Sequence, residues 1–352
     1  MTPGARVAAL LLSAGVMAGC AGTDTDPEAG LPTSETTEAA PGSSEGPSDA
    51  EAAPEPTYLG AGDLPGELSL KDVDARTRPA LPFADFAAAA GDGVWVSGVA
   101  PGAVRYDPSG LITARARIPG EVVQALAATS DEVWVPSRFP DTLFRLDATT
   151  GEVLGRLDLP AAPLSEAAVG TDQGLAYVLV DVLHPRIAVV ENDAVVDELT
   201  APEGAVAVRA AYGSLWVPTA DHTVHRIDVD TGRSTVIPVG PSPRFLDVGF
   251  GAVWVMNQGD GSVSRIDAAS GETEQLAMTG VPIGGGDLTV GAGAVWLRTD
   301  AEVIRIDPRT RRATHVISLP PGSASAAAAD EFLLISNHDH EVVHVVPLPL
   351  PR

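Results

Sequence analysis

One cysteine, one lysine and few aromatic residues are spread over 352 positions, and each scarcity excludes something. With Cys20 alone, no disulfide can form within the chain, so the fold must rest on its core. Lys71 is the only lysine, and arginine supplies the rest of 22 cationic side chains against 47 Asp and Glu. The resulting formal net charge of -25 excludes most nucleic-acid roles, because phosphate contacts need Lys and Arg and this surface repels a polyanion. The plainer consequence of that charge is solubility. No apolar run is long enough to span a bilayer as a mature helix. Aromatic residues are only 5% of the chain, so the positions they do occupy are informative.

The amino terminus, MTPGARVAALLLSAGVMAGC, pairs one early arginine with a short apolar stretch over 7–19, the pattern of a secretory signal peptide over 1–19. It ends in Met17-Ala18-Gly19-Cys20, which resembles a bacterial lipobox. That resemblance implies cleavage before Cys20 and lipid on it; the alternative is an ordinary secreted protein with a cysteine at its cleavage site. Lipidation would place the mature chain on the extracytoplasmic side of a cell membrane, each buried methylene contributing about 0.8 kcal/mol. Residues 20–62 then read as the lipidated cysteine and an acidic, Pro-, Ser- and Thr-rich disordered tether, with no Lys or Arg. A flexible chain of roughly 37 residues has an r.m.s. span of about 30–36 Å, enough to hold a domain off the membrane.

Beyond the tether the sequence repeats. "GDGVWVSG" leads to Val104-Arg105-Tyr106-Asp107, and "SDEVWVPS" to Phe144-Arg145-Leu146-Asp147. "YGSLWVPT" leads to His225-Arg226-Ile227-Asp228, "GAVWVMN" to Ser264-Arg265-Ile266-Asp267, and "GAVWLRT" to Ile304-Arg305-Ile306-Asp307. All five tryptophans, Trp95, Trp134, Trp216, Trp254 and Trp296, occupy one position of this unit. Two degenerate copies put Tyr177 and Leu333 there, and the copies follow one another at 37–43 residues, the length of a four-stranded propeller blade. Apolar run, Gly or Asp turn, Val-Trp-Val strand, polar loop, Arg-Ile-Asp strand, Gly turn and last strand make four antiparallel strands per copy. The fold class is therefore all-β, a seven-bladed β-propeller over residues 63–352. The seventh copy ends without its fourth strand, and the alternating segment 66–76, "GELSLKDVDAR", is expected to supply it and close the ring. The repeated Arg reads as an ion-pair partner within the blade rather than a ligand contact. The Asp-Gly turn at Asp260 reads as an Asx turn rather than half a calcium loop.

These G-x-V-W-V…V-x-R-I-D…T-G units resemble seven-bladed bacterial propellers of the streptogramin lyase (virginiamycin B lyase-like) and YVTN-repeat type, across residues 63–352. The lyase resemblance implies a catalytic His just after a Pro at the start of an inner strand, and a magnesium-binding Glu after the aromatic strand of that blade. In "SPRFLDVGFGAVWVMN" those positions hold Arg244 and Asn257, and the following copy offers Ile283 and Thr299. General base and metal ligand are both missing.

Repeated residues build blades; unrepeated polar residues in the loops between second and third strands, and in those entering inner strands, are candidates for a site at the channel mouth. They are Arg138, His184, Arg186, Asp221, His222, Arg244, Asn257, Asp260, Arg298, Asn337, His338 and His340. His338 and His340, two apart in "NHDHE", share one side of an extended backbone and make half of a zinc or copper set, or else belong to a polar exposed loop. His225 and His344 fall in the third-strand pattern and read as structural. No cofactor is expected, with a divalent metal at "NHDHE" the one exception to weigh. The reading is a monomeric envelope lipoprotein, membrane-bound through its lipid. Its propeller serves as a non-catalytic binding or scaffolding module for an envelope protein or small ligand. The alternative is an extracellular metal-assisted lyase or hydrolase with its site at the channel mouth.

Overall fold

The computed structural model describes residues 58–59, 64–98, 102–123, 125–164 and 166–351. The signal peptide, Cys20 and the tether up to Thr57 lie outside them. The described residues contain strands and turns and no helix, and the strands form seven sheets, one per sequence copy.

The blades follow chain order. Blade one consists of Ala87–Ala90, Gly93–Ser97, Gly102–Tyr106 and Ile112–Arg117. In blade two the innermost strand is split into Glu121–Val122 and Ala127–Ala128, followed by Glu132–Arg138, Thr142–Asp147 and Val153–Asp158. Blades three and four start at Val169–Asp172 and Arg209–Ala211, and blades five, six and seven at Pro243–Gly249, Asp287–Gly291 and Ala326–Ala329. Innermost strands touch in order from one to seven and back to one, so the ring is closed.

The aromatic position sits in the second strand of every blade. Trp95, Trp216 and Trp254 are fully buried, with Trp134 and Trp296 nearly so. Each buries about 150–250 Å², worth about 4–6 kcal/mol by area. The register pairs each Trp with the repeated Arg of the third strand: Trp95 with Arg105, Trp134 with Arg145, Trp216 with Arg226, Trp254 with Arg265, Trp296 with Arg305. Four of those guanidinium groups lie over the partner ring, 5.2–5.8 Å from its centre. Arg145 also binds Glu132 at 2.6 Å and Asp193 of the next blade at 2.7 Å. The repeated Arg is thus blade construction, as its recurrence suggested.

Turn chemistry follows the sequence. Tyr212-Gly213, Phe250-Gly251 and Ala292-Gly293 have positive φ at both residues, the geometry of tight two-residue hairpins. Asp267 Oδ1 accepts the amides of Ala269 and Ser270 at 3.1 and 3.0 Å, and the Asp260 carboxylate accepts the amide of Ser262 at 2.9 Å.

Ring closure corrects one expectation. The fourth strand of blade seven is Arg76–Pro79, antiparallel to Val342–Pro347 with Thr77 opposite His344, rather than the segment 66–76. Within that segment only Glu67–Ser69 is a strand, and it lies parallel along the outer edge of blade six. A turn intervenes: Asp72 accepts the Ser69 amide at 2.8 Å, and Asp74 takes a positive φ. Lys71-Asp72-Val73-Asp74 therefore breaks an alternation that reads in sequence as one strand. Tyr58–Leu59 pairs parallel with the outer edge of blade five. The amino-terminal segment thus touches the outer edges of blades five, six and seven in turn.

Candidate functional site

Each inner strand begins level with the end of the second strand, so the linkers between blades and the loops joining second to third strands share one face; Ala87 opposite Val96 and Pro243 opposite Asn257 show the register. The candidate residues divide there into three groups. His184, Asp221 and His222 are exposed. Arg138, Arg186, Arg244 and Asp260 each have a partner within the protein, that of Arg244 lying 78 residues away in the segment that enters blade three. Arg138 donates from Nε to the Pro163 carbonyl at 2.9 Å, Arg186 binds Glu198 at 2.5 Å, and Arg244 forms an ion pair with Glu166 while covering the Phe245 ring at 5.7 Å. Asn257, Arg298 and Asn337 are buried inside the blades and do not reach the face. Asn257 donates to Ser262 and Ser264 at 2.9 and 2.8 Å, and Asn337 donates to the Pro320 carbonyl at 3.2 Å. Arg298 donates to the Gly322 carbonyl at 2.7 Å, while its Nε and Nη1 have no partner among the described residues. Burial without full pairing pushes its pKa down to about 10.

His338 and His340 do not act together. Residues 338–341 form a turn, with the Glu341 amide on the His338 carbonyl and Glu341 at positive φ, so the extended backbone expected of "NHDHE" is absent. His338 lies 3.6 Å from Asp85 and 3.1 Å from Asp339 and stacks on Phe83 at 4.5 Å. The Asp85 carboxylate raises its pKa. His340 points instead at Asn337 Oδ1, 3.1 Å away. Among the described residues no three His, Cys, Asp or Glu side chains converge as a metal site. His225 pairs with Ser234 at 3.0 Å and His344 with Thr77 at 2.9 Å, both within their blades.

The polar cluster that sequence reasoning missed lies in the channel. The residues paired with the aromatic position form a ring: Ala88, Ala127, Gly170, Arg209, Asp247, Thr289 and Ala328. Four are Ala or Gly, which leaves a bore, and three are polar on consecutive blades. Two residues earlier the equivalent positions are Phe86, Ala125, Ala168, Ala207, Phe245, Asp287 and Ala326, all buried. Phe86 of blade one and Phe245 of blade five belong to non-neighbouring blades, yet their rings meet edge-to-face at 5.5 Å. They close the bore on the loop face. Towards the hairpin-turn face the inner strands of blades three, five and six are half-buried, at 171–172, 247–249 and 289–291. A cavity of about 230 Å³ lies between, lined by Arg209, Asp247, Asp287, Thr289 and small apolar residues.

Its charges are held by defined contacts. Arg209 Nη1 donates to the carbonyls of Val169 and Val208 at 3.3 and 3.1 Å, and its Nε lies 3.9 Å from Asp247 Oδ1. Asp247 accepts the amides of Val290 and Val248 at 2.7 and 2.9 Å. Asp287 accepts the Leu288 amide at 2.7 Å and the Ser325 hydroxyl at 2.5 Å. Burial raises the pKa of Asp247 and pushes that of Asp287 up to about 7. The sequence signal was present: "VRAA", "FLDVG" and "GGGDLTV" break an inner-strand pattern that is Ala-rich in the other copies.

No protein-family profile matches the chain, and no curated protein sequence does either. Solved structures do match. The β-propeller domain of Cps50 (Swd1) from Myceliophteria thermophila is 10% identical with a TM-score of 0.63, covering 78% of this chain and 98% of that one. The WD40 β-propeller domain of Doa1 is 14% identical with a TM-score of 0.61, over 78% and 96%. BamB from Moraxella catarrhalis is 14% identical with a TM-score of 0.49, over 75% and 84%. At these identities the likeness to the two propeller domains is one of fold: the chain is an all-β, seven-bladed propeller.

Proposed function

We propose that this chain is an envelope lipoprotein, carried on lipid at Cys20, whose propeller binds a protein partner through its loop face without catalysis. The observation that carries the reading is a set of exposed apolar residues on the loops of two adjacent blades. Phe139 at the end of blade two's second strand, and Val182 and Leu183 after blade three's second strand, are 78%, 73% and 81% exposed. Isolated exposed apolar residues need no explanation, but large ones on the loops of adjacent blades do. The two loops are braced against one linker. Arg138 holds the Pro163 carbonyl, Pro163 bridges to Val180, and the Asp181 amide donates to Ala162 at 3.0 Å. Braced loops that expose large apolar residues, with Arg186 paired to Asp181 and Glu198 in the same blade as Val182 and Leu183, have the composition of an interface with apolar and charged parts.

The test is cross-linking in intact cells with the full-length chain and two variants. Phe139→Asp/Leu183→Asp alters these loops, and Phe250→Asp alters an exposed apolar residue on the opposite, hairpin-turn face. A partner captured by wild type and Phe250→Asp but lost from the double variant supports the reading. Capture that survives the double variant, or fails with wild type, refutes it.

A further inference from the structure

The channel cavity has a closed end, an open end and an unbalanced set of charges. Phe86 and Phe245 close it on the loop face, and on the hairpin-turn side its walls at 171–172, 247–249 and 289–291 are only half-buried. At about 230 Å³ it lies below the roughly 300–1,000 Å³ of ordinary ligand pockets, so its occupant is small.

The polar lining is not required by the fold. At the position of Asp287 the other six blades carry Phe or Ala, and at the positions of Arg209 and Asp247 four blades carry Ala or Gly. Buried charge is costly unless well paired, and apolar residues of similar volume often serve a fold as well or better. The contacts are also incomplete in a directional way. Arg209 uses Nη1 on two carbonyls, but among the described residues its Nε and Nη2 make no hydrogen bond. Two carboxylates face one guanidinium, so the lining has an excess negative charge when both are ionised.

Charge type selects the occupant. A lone anion would pair with Arg209 but meet Asp247 and Asp287. A lone cation would offset the excess carboxylate but be repelled by Arg209 and leave its Nη2 without a hydrogen bond. A molecule carrying both charges answers both deficits, with its carboxylate on the free edge of the guanidinium and its ammonium among the carboxylates. We propose that the cavity is a binding site for a small zwitterion of the amino-acid class, entered from the hairpin-turn face, with Arg209 on the carboxylate and Asp247 and Asp287 on the ammonium. This goes beyond the protein-binding reading and uses the opposite face, so either can fail alone.

Calorimetric titration of the full-length chain with glycine and L-alanine, and with acetate and methylammonium as single-charge probes, tests it. A zwitterion binds at a Kd of about 1 mM or tighter, and both single-charge probes bind at least about tenfold more weakly. Arg209→Met and Asp287→Asn each weaken zwitterion binding at least about tenfold, the loss of one charge-assisted contact. Asp287→Asn guards against misfolding of the arginine variant, because the neutral isostere replaces a carboxylate already poised near neutrality. In wild type, affinity falls as pH drops below about 7, up to about tenfold per pH unit, because protonated Asp287 no longer attracts an ammonium. Absence of saturable binding by either zwitterion overturns the assignment, as does methylammonium or acetate binding equally well, or unchanged affinity in Asp287→Asn.

Discussion

Replacing Asp287 by Asn reverses its effect on stability across the neutral pH range. Its carboxyl goes from an ordinary 3.8 to about 7 on folding, chiefly through burial. A pKa raised by folding means the native state holds the proton more tightly. Stability from this group is therefore full below about pH 4 and is lost as pH rises through about 7. At about 1.4 kcal/mol per pH unit the rise is worth about 4 kcal/mol, an order-of-magnitude figure for a buried group. Asn cannot ionise, so it escapes this loss. It retains an acceptor for the Leu288 amide, 2.7 Å away, but must turn its own N–H toward Ser325, whose hydroxyl now donates to Asp287. That exchange costs about 1 kcal/mol. Near pH 4.5 the variant should thus be about 1 kcal/mol less stable than wild type, and near pH 8 about 1–3 kcal/mol more stable. Urea unfolding of both proteins at several pH values reads the difference directly, and other carboxylates cancel in it. A difference that stays constant from pH 4.5 to 8 refutes the burial of an ionising Asp287 in the channel.

His344 carries the opposite sign. Burial pushes its pKa down to about 4, so its stabilising neutral form is lost as pH falls from about 6.5 toward 4, and His344→Gln should unfold at lower pH in an acid titration followed by tryptophan fluorescence. Deleting residues 64–79 removes the strand opposite Val342–Pro347 and leaves an open edge; loss of the cooperative thermal transition, or self-association in light scattering, is expected, and an unchanged transition would contradict ring closure by Arg76–Pro79. Gly155→Ala drives a methyl group into the Asp193 carboxylate and should break its pairing with Arg145; unfolding midpoints should fall for Gly155→Ala but change little when Asp193 is already Ala.

The blades were legible because their physics is local and repeated. Five tryptophans at one position of a recurring unit report strands that pack on both faces, and the register confirms that Tyr177 and Leu333 take the same place, opposite Gly170 and Ala328. Asp267, Asp228 and Asp307 announce their turns because an Asx turn needs only the next few amides. The closing strand was misplaced because Lys71-Asp72-Val73-Asp74 preserves alternation while turning, and a strand that pairs about 270 residues away leaves no local mark. "NHDHE" misled for a similar reason. Spacing of two aligns His338 and His340 only on extended backbone, and a turn there sends one to Asp85 and the other to Asn337.

The sequence by itself determined the number of blades, their strand content and the residues that build them, because each blade repeats one hydrophobic pattern and one set of turns. Only the closed ring decided what the unrepeated residues do. Arg209, Asp247 and Asp287 stand apart in the chain and meet only where inner strands converge on an axis, and Phe86 meets Phe245 only across that axis. Convergence on the axis is a property of the whole circle, fixed by seven blades packing at once, and no single blade's sequence contains it.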